Sequence, residues 1–126
     1  MVIHMNAHNT RLGQLGESAA CAYLADNGHV IIERNYRCPY GEIDIISKDG
    51  DRTVFTEVKT RSALPENSKF GRASSAVTKS KKEHFLMTAR QYQKDHPDSL
   101  RCRVDVIEVY IVKNGDPIIK HIRSAF

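Results

Sequence analysis

The chain has 126 residues, 40% of them apolar and 27% charged, which is enough for one packed core without covalent or metal staples. Three cysteines (Cys21, Cys38, Cys102), odd in number and without CxxC spacing, argue against a disulfide framework or a zinc site. No apolar run reaches the roughly 18 residues of a membrane helix, and "MVIHMNAHN" is too short and polar for a signal peptide, so a cytoplasmic protein is expected. The net charge of +4 gains meaning from clustering: Lys79, Lys81 and Lys82 fall within four residues, as a polyanion-binding surface requires.

The spacing predicts a single domain over 1–126, with 1–9 as a flexible lead-in. A helix is predicted over Thr10–Asn27, with Thr10 as N-cap and Leu12, Leu15, Ala19, Ala20, Tyr23 and Leu24 as its apolar stripe. Asn27-Gly28 is a helix stop. A first strand follows at 29–37, broken by Pro39 to Gly41. Strands at 42–47 and 53–60 are joined through Asp49-Gly50, a hairpin signal. Residues 62–75, with Pro65 and Gly71, read as a long loop. A second helix is expected over Ala76–Asp95, with Val77, Phe85, Ala89 and Tyr92 on one face and Pro97 ending it. Strands at 102–112 and 117–122 flank an Asn114-Gly115 turn. The order is αβββαββ.

The hairpin carries charge where a core is expected. Side chains alternate along a strand, so Glu42, Asp44 and Ile46 share a face, as do Phe55, Glu57 and Lys59. A two-residue loop at Asp49-Gly50 pairs Lys48 with Asp51 and sets Asp44 opposite Phe55 and Glu42 opposite Glu57. The charged residues then converge on one side, while Ile43, Ile45, Val54 and Val58 cover the other. A one-residue bulge would break this parity. Such a face is commonly just solvated. The alternative is chemical. Carboxylates on strands about 4.8 Å apart can share a cation. Hard oxygen donors favour Mg²⁺ or Mn²⁺, and a neighbouring lysine can contact a phosphate or hold an attacking water. That chemistry is metal-assisted phosphodiester hydrolysis.

Asp44 and, thirteen positions on, Glu57-Val58-Lys59 resemble the PD-(D/E)xK motif of the restriction endonuclease-like fold, with Ile43 in place of its proline. The surrounding "GQLGESAACAYLADNGHVIIERNYRCPYGEIDIIS", "FTEVKTR", Phe70-Gly71, "AVTKSKKEHFLMTARQY" and "RVDVIEV" resemble the small bacterial YraN-like family, which is grouped with endonucleases by fold and motif. A wider likeness is to archaeal Holliday-junction resolvases. The resemblance implies an α/β fold with a central mixed sheet flanked by helices. It implies Asp44, Glu57 and the Val58 carbonyl as metal ligands, Lys59 as the catalytic lysine, and Glu17 of the "GxxGE" stretch as the helix glutamate that completes the site. The implied substrate is double-stranded or branched DNA. A homodimer is also implied, since a junction has two strands to cut.

Other residues stay open between two readings. Lys81 and Lys82, with Lys79 and Arg61, are candidate nucleic-acid contacts, helped by the start of the second helix. Alternatively the lysines merely snorkel along apolar surface. Asp105 reads as structural, paired with Arg103, Arg37 or a lysine. The six histidines show no metal-ligand spacing. Two functions are carried forward: a Mg²⁺- or Mn²⁺-dependent nuclease, or a nucleic-acid-binding module that keeps the nuclease fold and cuts poorly.

Overall fold

The computed structural model describes residues 7–62 and 78–126. Their elements are α1 (Ala7–Asp26), β1 (Val30–Cys38), β2 (Gly41–Asp49), β3 (Arg52–Arg61), α2 (Lys79–Asp95), a 3₁₀ turn at Pro97–Ser99, β4 (Cys102–Tyr110) and β5 (Ile118–Ile122). The order αβββαββ is the expected one. The predicted 62–75 loop, apart from Ser62, and the apolar contact expected of Val77 lie outside the described residues.

The α1 helix starts upstream of the expected cap. No glycine or proline interrupts Ala7 to Thr10, so Thr10 is a helical residue rather than the cap, and the helix takes in 7–9 as well. Its end is as predicted. Gly28 adopts φ +90° and His29 N–H reaches back 2.9 Å to the Leu24 carbonyl, a left-handed stop that glycine tolerates. The α2 helix begins at a cap: the Thr78 hydroxyl accepts from Lys81 N–H at 3.1 Å.

The five strands lie in the order β1-β2-β3-β4-β5, antiparallel throughout except for the parallel β3/β4 pair. Helix α1 covers one face, where Ala20 and Leu24 pack on Ile45, Ile107 and Val109. Helix α2 covers the other, where Phe85, Ala89 and Tyr92 pack on Ile43, Ile46, Phe55 and Val104. Leu15, expected in the α1 stripe, is 51% exposed, while Gly16 beside it is buried.

The hairpin register differs from the expectation by two residues. Asp49 pairs with Arg52 and Lys48 with Thr53, so Ile46 rather than Asp44 opposes Phe55. The loop residues are Gly50-Asp51, because the positive φ of +65° falls on Gly50, at the first loop position where glycine is favoured. A two-residue slip preserves parity in β3. In β2 parity breaks. Ile43 packs with Ile46 under α2, whereas Ile45 packs under α1, so Ile43 and Ile45 do not share a face. The break is at Asp44. On β1, Arg34 pairs with Ile45 and Tyr36 with Ile43, leaving Asn35 across from Asp44 with φ +56°, a conformation asparagine tolerates.

The far end of the α1 face holds a buried polar network. Asp105, fully buried, accepts from Arg103 Nε (2.9 Å) and Nη2 (3.0 Å), from Ser124 N–H (3.1 Å), and bonds His121 Nε2 at 2.7 Å. His121 Nδ1 in turn meets the Tyr23 hydroxyl at 3.0 Å. Burial alone would raise the Asp105 pKa; the bonds from His121, Arg103 and Ser124, with the Arg103 charge, outweigh it and bring it to about 2. Its pairing with Arg103 is one of those expected.

A carboxylate depressed in the fold contributes stability above its unfolded pKa and loses it as pH falls. Asp105→Asn is therefore expected to lower unfolding free energy at pH 7 by about 3 kcal/mol, the lower end for a broken buried pair, because Arg103 loses its buried partner and keeps the more exposed Asp49, 3.3 Å away. The gap from the unmodified chain should narrow as pH falls from about 4 to 2. Denaturant melts of both proteins across that range measure it.

Candidate active site

The β2/β3 ladder ends at Ile45↔Thr56, while β3 continues beside β4 as far as Arg61↔Tyr110. Beyond Ile45, β3 keeps its parallel partner but has lost its antiparallel one. Asp44 fills the gap: its Oδ2 accepts the Val58 N–H at 2.7 Å. This anchors the carboxylate through the backbone of the Glu57-Val58-Lys59 stretch.

Three more carboxylates act on Asp44. Burial pushes its pKa up most, the Val58 amide pulls it partly back, and Glu17, Glu42 and Glu57 push it further, to about 7. Each arrives from a different element. Glu57 follows Phe55 along the α2 face of β3. Glu42 opens β2 and takes a 2.6 Å charge-assisted bond from Arg37 Nε. Glu17 comes from α1, next to Gly16. A methyl group on Gly16 would overlap the Thr60 side chain, so the bare glycine lets α1 press directly on β3. Glu17 also stands 3.7 Å from Arg34. The lysine of the motif is present too: Lys59 Nζ lies 4.0 Å from Glu57 Oε1.

Two clefts open on either side of this cluster, and Glu42 borders both. One, of about 310 Å³, is lined by Tyr40, Glu42, Glu57, Lys81, His84 and Phe85. The other, of about 300 Å³, is lined by Gly13, Gln14, Glu17, Asn35, Arg37 and Glu42.

The structure thus brings Glu17, Asp44, Glu57, Lys59 and Lys81 to one end of the sheet. It separates the basic residues of α2. Lys82 lies over the Phe126 ring, 5.6 Å from its centroid, the snorkelling arrangement. Lys79 is exposed on the first turn, and Arg61 closes β3 with Nη1 3.5 Å from the Thr60 carbonyl. The contact made by Val58 is through its amide.

Sequence reasoning missed Glu108. It is 1% exposed and pairs in register with Lys59 across β3/β4. Its Oε1 accepts from the Tyr110 hydroxyl at 3.1 Å, and its Oε2 has no hydrogen-bond partner among the described residues. A charged residue inside "VIEVY", on the strand face opposite Asp105, was the available signal.

Among the described residues no three His, Cys, Asp or Glu side chains stand at metal-ligand spacing. Mg²⁺ and its like need only one or two protein carboxylates, the rest of the shell being water and substrate phosphate. Asp44 and Glu57 provide two hard-oxygen groups in a field that already resists a second negative charge, and on that donor chemistry they fit such an ion.

The fold and site define a helix-first mixed α/β protein with a carboxylate-lysine cluster where its sheet opens between two helices. The chain belongs to uncharacterised protein family UPF0102, whose model matches residues 16–109, as the YraN-like resemblance led one to expect. It is 40% identical over 121 residues to a UPF0102 protein of Rhodococcus jostii, covering 95% of this chain and 99% of that one. A relative from Caldicellulosiruptor saccharolyticus is 43% identical over 117 residues (91% and 96% covered), and one from Syntrophus aciditrophicus 41% over 127 (100% and 95%). No helix among the described residues is long and apolar enough to cross a membrane.

Two outcomes test the geometry. A carboxylate raised in the fold is penalised as pH climbs from its unfolded value near 4 to about 7, with no penalty below that window and the full penalty above it. Asp44→Asn keeps an acceptor for Val58 and removes the charge. In chelator it should be more stable than the unmodified chain at pH 8 by a few kcal/mol, about 4 at most, with the difference vanishing towards pH 4. Gly16→Ala should cost about 1 to 3 kcal/mol by forcing α1 off Thr60, and denaturant melts check both.

Proposed function

We propose that the chain is a metal-dependent nuclease that binds DNA and hydrolyses its phosphodiester bonds. One observation carries the reading: Asp44, pinned by the Val58 amide, is held among Glu17, Glu42 and Glu57 with Lys59 alongside. Such an acidic field destabilises the protein alone and has an evident use only when a cation shares it.

Asp44 and Glu57 would hold Mg²⁺ or Mn²⁺, which when bound supplies charge neutralisation at the phosphate and acidifies water. The remaining work falls to the protein. Val58 N–H fixes the orientation of the Asp44 carboxylate. Lys59 donates to a non-bridging phosphate oxygen and offsets the charge that builds there. Glu17, set from α1, completes the site as part of the acidic field around Asp44. Lys81, in the cleft with Glu57, meets the phosphate backbone. The broader expectation of a restriction endonuclease-like fold belongs to this proposal, and the helix-first mixed sheet is in keeping with it.

Purified protein with Mn²⁺ is expected to cut at least one of linear, flapped and four-way DNA. Asp44→Asn and Lys59→Ala should each reduce the rate at least a hundredfold, while affinity measured in chelator stays within about threefold, because dispersed cations supply it. Binding without cleavage by the unmodified chain would support the binding-module reading instead. Cleavage at the full rate by either variant would refute the site.

A further inference from the structure

Basic and aromatic surface continues from the carboxylate cluster along α2. Tyr40, beside Pro39 at the β1–β2 hairpin, is 44% exposed, and its side chain has no hydrogen bond or ring contact among the described residues. It borders two clefts. The first is the 310 Å³ cleft that holds Glu42, Glu57, Lys81 and His84. The second, of about 210 Å³, is lined by Tyr40, Met87, Arg90, Gln91 and Lys94. Lys81, Arg90 and Lys94 form no ion pair among the described residues. From Lys81 to Lys94 the helix advances about 20 Å, room for about four nucleotides of extended strand, the lower end of single-strand site sizes. Around α2, Arg90 and Lys94 stand about 180° and 140° from Lys81. The two groups of cations are joined through Tyr40, which borders both clefts. Glu83 points to within about 20° of Arg90 and Lys94 but lies about 10 and 16 Å nearer the start of the helix.

An open aromatic ring between uncompensated cations offers what an unpaired strand recognises, a flat surface for a base and positive charge for the flanking phosphates. A duplex hides its base faces and would leave Tyr40 idle. An acidic peptide would use the cations and gain nothing particular from the ring. We propose that the surface running from Lys81 past Tyr40 to Arg90 and Lys94, which winds part of the way around α2, is a track for an unpaired nucleic-acid strand, with one base stacked on Tyr40, one phosphate at Lys81 and others at Arg90 and Lys94. The inference rests on the nuclease reading above, and narrows its substrate to DNA that is single-stranded or splayed next to the bond cut.

Fluorescence anisotropy in chelator tests it without cleavage, using a short labelled oligothymidylate, a blunt duplex of equal length, and heparin as a polyanion without bases. Tyr40→Leu should weaken oligothymidylate binding about five- to hundredfold and leave duplex and heparin unchanged, while Tyr40→Phe retains full affinity. Arg90→Ala with Lys94→Ala should lower the slope of log affinity against log salt by about 1.4 for the oligothymidylate, near 0.7 per phosphate contact. All these positions are exposed or rim a cleft, and thermal melts confirm that the variants fold. Unchanged oligothymidylate binding by Tyr40→Leu, or an equal loss on heparin, overturns the track and leaves the nuclease reading standing. An unmodified chain that binds neither oligothymidylate nor duplex overturns both.

Discussion

Where β2 leaves β3, one amide has no strand carbonyl to bond, and Asp44 supplies an oxygen in its place. A buried N–H left without a partner costs on the order of a lost hydrogen bond, so the position calls for an acceptor. The acceptor is an ionisable carboxylate, and much of the surrounding arrangement follows from that. The strands part to admit it, the alternation of β2 breaks at it, and Asn35 takes a left-handed turn opposite it. Helix α1 presses in through Gly16 and delivers Glu17 to the same place.

The sheet carries two buried aspartates with opposite fates. Asp105 is wrapped by Arg103, His121 and the Ser124 amide, and its charge is fully answered. Asp44 receives one amide and faces three further carboxylates. Both are equally foreign to a hydrophobic core. The first stabilises this fold as it stands; the second is tolerable because neighbouring packing is strong and the group can accept a proton. Stability given up at one point and retained elsewhere is the usual signature of a functional site.

Element order, both helices and the hairpin were legible because apolar periodicity, Asn27-Gly28 and Gly50 are local signals. The convergence of Glu17, Asp44, Glu57 and Lys59 was also legible, through motif spacing and resemblance. The register was not. Asp49-Gly50-Asp51 offers two loop placements that differ only in which residue takes the positive φ, and the choice moves every pair by two. The parity break at Asp44 depends on Asn35 across the strand, a contact between positions with no periodic relation. The same holds for Glu108, whose partner in register is Lys59, and for Leu15, which points to solvent because Gly16, about 100° around the helix from it, is the position that faces the sheet at Thr60. Lys81 and Lys82 are neighbours in sequence, but Phe126, at the other end of the chain, engages only the second.

The lone bond between Val58 and Asp44 has a spectroscopic consequence. A backbone amide held by a single side-chain oxygen senses that oxygen's electron density directly, and its proton resonance shifts when the carboxylate gains a proton or shares its charge with a cation. The amides of Glu57 and Lys59, in the parallel ladder with β4, have no such direct bond to the carboxylate and sense these events less. Val58 is therefore an intrinsic nuclear-magnetic-resonance probe placed at the cluster by the fold, one that registers occupancy of the carboxylates without any label or change of sequence.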